Sequence, residues 1–297
     1  LTCPKTRQVS GWPVKPEYTF KTDDNKYQEL IMKSRQTSDR RQSDLAYKVL
    51  EPYSRSFLTQ SGLCKGMRIL EVGCGAGAMT PWLSQEVGQS GRVVALDINP
   101  QEIERAREKL MEAGLEYNTQ FIETSVEDVL SVGRDFDFIY GRFILMQLTN
   151  PGEVLKRLVS CLRPGGIIAL DEPNQEADLA VQTYPPCERA NRLFLDYAER
   201  AGINFRIGDN LYPMLLRLGL RIRVSHSCQP IFPLRLAIQM FKHGLLKSRA
   251  LLLEMGVASE TSFQSILDEL EEWQVGDTDY YALSRQVQVS GERVYGS

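Results

Sequence analysis

The run Arg68-Ile-Leu-Glu-Val-Gly-Cys-Gly-Ala-Gly-Ala-Met-Thr80 constrains this chain more than any other segment. It reads as a buried strand that enters a glycine turn and leaves as a helix. Gly73, Gly75 and Gly77 keep the backbone bare where a ligand must approach closely. Glu71 sits two places before the first of them.

The segments that follow keep the same rhythm. Apolar runs predict strands at Arg68–Val72, Arg92–Asp97, Thr119–Glu123, Phe136–Tyr140 and Gly166–Asp171. Helical patterns fall between them at 78–87, 101–113, about 144–147 and 151–162. Asn99-Pro-Gln-Glu102 is a helix start: Asn99 caps, Pro100 suits the first turn and Glu102 can reach back to the cap. Strand–helix alternation of this kind implies a parallel sheet with helices on both faces.

Beyond residue 174 the pattern changes. Cys187–Ala201 and Asp209–Leu218 are amphipathic helices, and Leu220–Gln229 alternates like a strand. Residues 234–255 and 262–274 are helical, the second opened by Thr261-Ser-Phe-Gln264 as a capping box. Ala282–Arg293 alternates again and reads as the last strand. Before the core, residues 1–22 read as an extended arm and 24–60 as two helices. No repeat or low-complexity tract is present.

With 297 residues there is ample chain for a large core, and 25% charged residues is the share of an ordinary soluble domain. A net charge of −3 gives no general affinity for polyanions, so no nucleic-acid partner is expected. The basic clusters at Lys33–Arg41 and at Arg217, Arg221 and Arg223 read as solvated faces. The six cysteines are scattered without a Cys-x-x-Cys pair, which fits a reduced cytoplasmic protein and argues against zinc ribbons. No signal peptide is visible, and the missing initiator Met suggests a trimmed start. Leu234–Met255 is apolar but carries Arg235, Lys242, His243, Lys247, Arg249 and Glu254, too many charges for a membrane span.

Glycine-rich strand–turn–helix loops alone are a weak signal, since nicotinamide enzymes use them too. Asp97, about 20 residues past the loop, ends the second strand where a carboxylate can accept from both hydroxyls of a ribose. Glu71 would repel a pyrophosphate and suits a cation. Only one residue separates Gly75 from Gly77, where the dinucleotide fingerprint has two. A purely structural turn and a nicotinamide cofactor stay as alternatives at this point.

In full, the order of motifs resembles the class I S-adenosylmethionine-dependent methyltransferases. The glycine loop is similar to their first motif. Phe121-Ile-Glu-Thr-Ser-Val-Glu-Asp128 is similar to the third-strand motif that holds adenine, with Ser125 where family members carry Asp. Phe136 to Leu148 resembles the fourth-strand motif at the transfer mouth, with Gln147 where relatives often have His. Leu162-Arg-Pro-Gly-Gly to Glu172 looks like the turn and fifth strand. The resemblance covers residues 68–172 and implies a methyl donor held by Glu71, Gly73, Cys74, Gly75, Gly77, Asp97, Ile98, Ser125, Val126, Glu127, Gly141 and Arg142. Tyr18-Thr-Phe, the helix to Gln36 and the stretch from Pro186 look like the small-molecule branch related to quinone-biosynthesis methyltransferases. In that branch an arm Tyr and a helix Gln reach the methionine carboxylate, which implies Tyr18 and Gln36 here.

The expected architecture is an α/β, doubly wound, Rossmann-like sheet of seven strands, mostly parallel with an antiparallel last strand. An arm and helices would occupy 1–60, the core 61–229 and 282–297, and a helical insert 230–281. In such a fold the last two strands usually form a hairpin, so the insert is a candidate lid over an acceptor, with Met240, Phe241, Leu245, Leu251 and Leu252 as wall or as its own core. Candidate acid–base groups are Tyr140, Asp171, Glu172 and His243, while His226 in the alternating strand reads as structural. No metal-ligand spacing is present. The expected reaction is methyl transfer from S-adenosylmethionine to a small or medium organic molecule, by a monomer or homodimer. Rivals are a nicotinamide-dependent oxidoreductase, a methyltransferase acting on protein or RNA, and a cofactor-binding module without activity.

Overall fold

The computed structural model describes residues 44–174 and 184–294. Tyr18, Gln36 and the expected arm lie outside the described residues. Helix α1 spans Asp44–Ser61. The alternating core then runs β1 (Arg68–Val72), α2 (Thr80–Val87), β2 (Arg92–Asp97), α3 (Pro100–Glu112), β3 (Thr119–Glu123), β4 (Phe136–Arg142), α4 (Pro151–Cys161) and β5 (Leu162–Asn174). Short 3₁₀ turns at Val126–Ser131 and Leu145–Gln147 precede β4 and α4. After them come α5 (Pro185–Ala201), α6 (Gly208–Arg217), β6 (Arg221–Cys228), β7 (Ile231–Pro233), α7 (Leu234–Glu254), α8 (Glu260–Glu272), β8 (Tyr280–Ala282) and β9 (Arg285–Glu292).

Seven strands form one sheet in the order β3-β2-β1-β4-β5-β9-β6. Strands β1 to β5 are parallel, and β9 runs antiparallel to both neighbours. This is the expected Rossmann-like sheet. Period-2 alternation sends successive side chains into different layers. Leu70, Ile139, Ile168 and Val289 pack with α4 and α6 on one face. Ile69, Phe138, Ala169 and Phe57 of α1 pack on the other, with Leu83 and Val87 of α2. Each side chain sealed there contributes about 1.5–3 kcal/mol against exposure.

Between β1 and β4 the winding direction reverses, because β2 and β3 are laid down on one side of β1 and β4 on the other. Crevices at the carboxyl ends of strands form at such a switch point. Gly141 allows the two strands to close up there: a Cβ on it would stand 2.8 Å from Cγ2 of Val72, its register partner.

A third apolar cluster belongs to α5, α7 and α8, with Leu193, Ala237, Leu245, Leu252, Phe263 and Leu270 buried in it. The insert expected to be helical also carries a two-stranded ribbon, β7 with β8, which closes its base. The last alternating stretch is therefore broken, and only Arg285–Glu292 joins the main sheet. Two helix starts differ in detail from expectation. The capping box of α8 is Ser259 with Ser262, two residues earlier than Thr261–Gln264. Asn99 does cap α3, accepting from the Gln101 amide, but Glu102 pairs with Arg105 at 3.1 Å.

Candidate active site

A narrow cleft at the switch point is lined by Glu71, Val72, Gly73, Cys74, Gly75, Ala76, Met79, Tyr140 and Arg142. Three glycines shape it, all with positive φ, and they do different things. A Cβ on Gly73 would lie 1.9 Å from Cδ1 of Ile144, and one on Gly77 would lie 2.9 Å from the Cα of Ala106 in α3. Those two glycines are bare because protein fills the space. Around Gly75 no atom comes within 4 Å of a built Cβ. Gly75 opens on empty space, while Gly73 and Gly77 bring loop, helix and β4 mouth together. The Cys74 thiol is buried and its pKa is pushed far up by that burial, so it is inert.

Glu71 forms the floor. It is 3% exposed and accepts from the Thr80 hydroxyl at 2.7 Å. Burial pushes its pKa up to about 7, against the pull of Thr80 and of the Arg142 guanidinium. Asp97 stands at the tip of β2. Its Oδ2 accepts from the Gly75 amide at 2.8 Å and its Oδ1 from the Asn99 amide at 2.9 Å. Each carboxylate oxygen retains a second acceptor position, so the group is fixed in place and still able to bind. Beside it the Ile98 side chain is 48% exposed, an apolar face presented to solvent. Ser125 caps the 3₁₀ turn at Val126–Ser131 by accepting from the Glu127 amide at 3.2 Å. The Glu127 side chain is exposed and Val126 half-buried.

The mouth of the cleft holds features no sequence pattern announced. Phe143 adopts φ 59°, a left-handed conformation that costs a bulky side chain about 1–2 kcal/mol. Glu172 explains how it persists. Its carboxylate accepts from three successive amides, Ile144 at 2.9 Å, Leu145 at 2.8 Å and Met146 at 3.4 Å. Gln147 donates back to the Phe143 carbonyl. Glu172 is thus a brace for the loop after β4.

Asp171 is equally occupied, accepting from Ser54 of α1 at 2.7 Å and from Gln288 of β9 at 2.8 Å on one oxygen. Its other oxygen and the Tyr140 hydroxyl are buried without a hydrogen-bond partner. Burial pushes both of their pKa values up. Asp171 is linked to Arg142 through Ser54, which receives Arg142 Nη1 at 3.2 Å. His243, on α7, is not among the residues lining the cleft or the cavity described next.

That cavity, of about 250 Å³, lies between α5, α7 and the β7/β8 ribbon. Among the described residues its wall carries Phe194, Tyr197, Phe205, Phe232, Phe241 and Tyr281 and no charged side chain. Met240 and Phe241 line it as expected, while Leu245, Leu251 and Leu252 are buried in the packing of the helices themselves. Leu283 and Ser284 of the wall lead straight into β9, where Arg285 pairs with Asn174 at the carboxyl end of β5. Three residues separate Asn174 from Asp171, roughly 10 Å of strand.

A family model described as a methyltransferase domain matches residues 63–215. The chain belongs to the S-adenosylmethionine-dependent methyltransferases. It is 29% identical over 141 residues to a ubiquinone/menaquinone biosynthesis C-methyltransferase of Pseudoalteromonas translucida, covering 47% of this chain and 56% of that one. The chain spans about half the length of the curated relatives it matches. Among solved structures, a candidate methyltransferase of Bacillus halodurans C-125 superposes with a TM-score of 0.56 at 15% identity, over 85% of this chain and 99% of that one. The [4+2]-cyclase SpnF reaches 0.53 at 14% identity, over 82% and 81%. Likeness at that identity speaks for the fold alone, and a cyclase among the neighbours shows why.

Family membership removes the nicotinamide alternative and names the methyl donor. The cleft fits that donor chemically: a bare opening at Gly75, a buried acid for a cation, a fixed carboxylate with open acceptor positions and an exposed apolar side chain beside it. Among the described residues no His, Cys, Asp and Glu group could hold a metal, and no helix is long and apolar enough to cross a membrane.

Proposed function

We propose that this chain transfers the methyl group of S-adenosylmethionine to a small or medium organic acceptor by direct displacement at the sulfonium carbon. The observation that carries the reading is the empty space at Gly75, bounded by Glu71 below and Asp97 beside it. Asp97 takes the ribose hydroxyls on its remaining acceptor positions, and Glu71 faces the ammonium. Ile98 and Val126 pack on the adenine ring. Ser125 Oγ, which keeps a second acceptor position beside its cap, or the Glu127 carboxylate accepts from the adenine amino group. Arg142 and the Tyr140 hydroxyl donate to the methionine carboxylate. Gly73, Cys74, Gly77 and Gly141 shape the cleft without binding through side chains.

The acceptor side is supported by the aromatic cavity. An apolar cavity of about 150 Å³ accommodates benzene, so one of about 250 Å³ admits a substituted or fused ring. Walls without charge favour a flat, largely apolar molecule over a peptide or RNA segment. The curated relatives carry names from quinone biosynthesis, and a ring of that kind suits the same walls. The donor brings the leaving group already activated, as a sulfonium that departs as a neutral thioether. What the protein adds is alignment and exclusion of water. Asp171 and Glu172 are engaged in holding the fold, so no proton-transfer role is assigned to them.

Isothermal titration with S-adenosylhomocysteine is the test. Binding that Asp97→Ala abolishes is the expected result. A folded wild-type protein that does not bind would overturn the reading.

A further inference from the structure

Four polar side chains stand in register across four strands. Arg142 of β4 pairs with Asp171 of β5, Asp171 with Gln288 of β9, and Gln288 with His226 of β6. They lie on the face covered by α1, which reaches the row through Ser54. His226 Nε2 is 2.6 Å from Gln288 Oε1, and Gln288 Nε2 donates to Asp171 Oδ2 at 2.8 Å. Ser54 donates to the same oxygen at 2.7 Å and receives Arg142 Nη1 at 3.2 Å. Since the amide oxygen of Gln288 can only accept, His226 carries its proton on Nε2. The His226 ring is held edge-on to Phe57 at 5.7 Å.

Such a row is an expensive way to fill space. Asp171 is 1% exposed and Gln288 0%. Apolar residues of similar volume would stabilise the layer at least as well. Two residues back on β5, the same face carries Ala169 among apolar neighbours. The row therefore calls for a reason other than packing, and its β4 end supplies one. Arg142 lines the donor cleft with Glu71 and Tyr140.

We infer that Asp171, Gln288, His226 and Ser54 are positioning residues of the donor site. They hold the Arg142 guanidinium at the mouth of the cleft, where the carboxylate of the donor's methionine part needs a cation. An arginine left to itself loses rotamer freedom on capturing a ligand. Held by the row, it loses that freedom on folding, and donor affinity is set in part from an edge strand three strands away. The inference rests on the proposed contact between Arg142 and the donor; none of the other four touches it.

The experiment titrates S-adenosylhomocysteine into the full chain and its variants by calorimetry, with thermal unfolding recorded on the same samples. Gln288→Leu cuts the row at its middle and is expected to raise the dissociation constant about tenfold, the loss of roughly one hydrogen bond to a charged group. His226→Leu is expected to give a smaller rise. His226→Gln, which keeps an N–H toward Gln288, is expected to restore wild-type affinity. Ser290→Ala is the control: the same strand and face, and a lost hydrogen bond from Ser61, but no link to Arg142. It is expected to lower the melting temperature and leave affinity alone. If Gln288→Leu behaves as Ser290→Ala does, the row is structural and the inference is wrong. If Gln288→Leu does not fold, Ser54→Ala decides by the same criterion, weaker binding supporting the row and unchanged binding overturning it. Failure of the wild-type protein to bind at all would strike the donor reading instead.

Discussion

The donor cleft and the aromatic cavity are built by opposite means. The cleft is built mostly of one backbone run, the end of β1 and its glycine loop, closed by the mouth of β4, with Asp97 tied to the Gly75 amide across 22 positions. The cavity is made of side chains from segments up to 93 positions apart, Asn191 to Ser284, meeting only when α5, α7 and the β7/β8 ribbon have packed. A site of the first kind tolerates little change in the chain that forms it, since backbone cannot be rearranged locally. A site of the second kind can be reshaped by a single side chain with the fold intact. That difference is open to direct attack.

The largest effect is expected from the glycines, and it separates two roles within one loop. Gly77→Ala sets a Cβ 2.9 Å from the Ala106 backbone at a φ of +70°. Overpacking and left-handed strain together should cost about 3 kcal/mol, read as a lower melting temperature. Gly75→Ala meets no atom and carries only the strain of φ +50°, about 1 kcal/mol. It should stay folded and lose S-adenosylhomocysteine binding by about a hundredfold or more, as the methyl group occupies ligand space. Equal melting losses for the two, with binding retained by Gly75→Ala, would erase the distinction.

Next in size is a change confined to the other region. Ala237→Trp fills the cavity from the first turns of α7. Methyl transfer to any aromatic acceptor found by screening should fall at least about a hundredfold, while S-adenosylhomocysteine affinity stays at the wild-type value. Gly244→Ala is a gentler version: its Cβ would lie 3.0 Å from the tip of the Phe194 ring and should press that ring inward. A Trp variant that keeps full turnover would show that the acceptor binds elsewhere.

How much of this was legible before folding follows the same divide. All five parallel strands were readable because β-branched and leucine runs bounded by turn residues are local signals, and Thr119–Glu123 and Arg92–Asp97 fall where the pattern put them. The placing of Glu71 and Asp97 around the glycine loop was readable because their spacing along the chain is fixed by the strand–turn–helix unit. The left-handed Phe143 was not, since it is imposed by Glu172 from a strand 29 positions away, and a glutamate at a strand end gives no hint of its three amide partners. Nor was the ribbon: Ala282, read as the start of the last alternating stretch, belongs instead to Tyr280–Ala282, which pairs with Ile231–Pro233. The row through Gln288 and His226 lay hidden for the same reason. His226 read as structural from its place in an alternating strand, and its partner Gln288 stands on another strand.

Within the donor region the pH dependence of binding sharpens the role of Glu71. With the cleft empty, its pKa is raised from 4.5 to about 7, so below pH 7 the group is mostly protonated. A ligand ammonium favours the carboxylate, so S-adenosylhomocysteine affinity should rise up to about tenfold per pH unit as pH approaches 7 from below and level off above it. The sign for the empty protein is opposite. A carboxyl whose folded pKa is raised stabilises the fold fully below 4.5, and that contribution is lost as pH climbs through about 7, to the extent of about 3 kcal/mol. Glu71→Gln should flatten both dependences: weaker but pH-independent binding by calorimetry, and less loss of melting temperature between pH 5 and 8. Retention of the wild-type slope in that variant would assign the titration to another group.

The smallest expected effect concerns a single oxygen. The Tyr140 hydroxyl is buried, has no hydrogen-bond partner and stands in the wall of the donor cleft. An unpaired buried hydroxyl costs about 1–3 kcal/mol, so Tyr140→Phe should leave the empty protein as stable or slightly more so. If the hydroxyl exists to meet the donor's carboxylate, the same change should weaken S-adenosylhomocysteine several-fold, roughly the worth of one hydrogen bond to a charged group. Opposite shifts in melting temperature and affinity from the loss of one atom would mark Tyr140 as a ligand group. A gain in stability with affinity unchanged would leave its hydroxyl outside the binding site and shift the carboxylate contact to Arg142 alone.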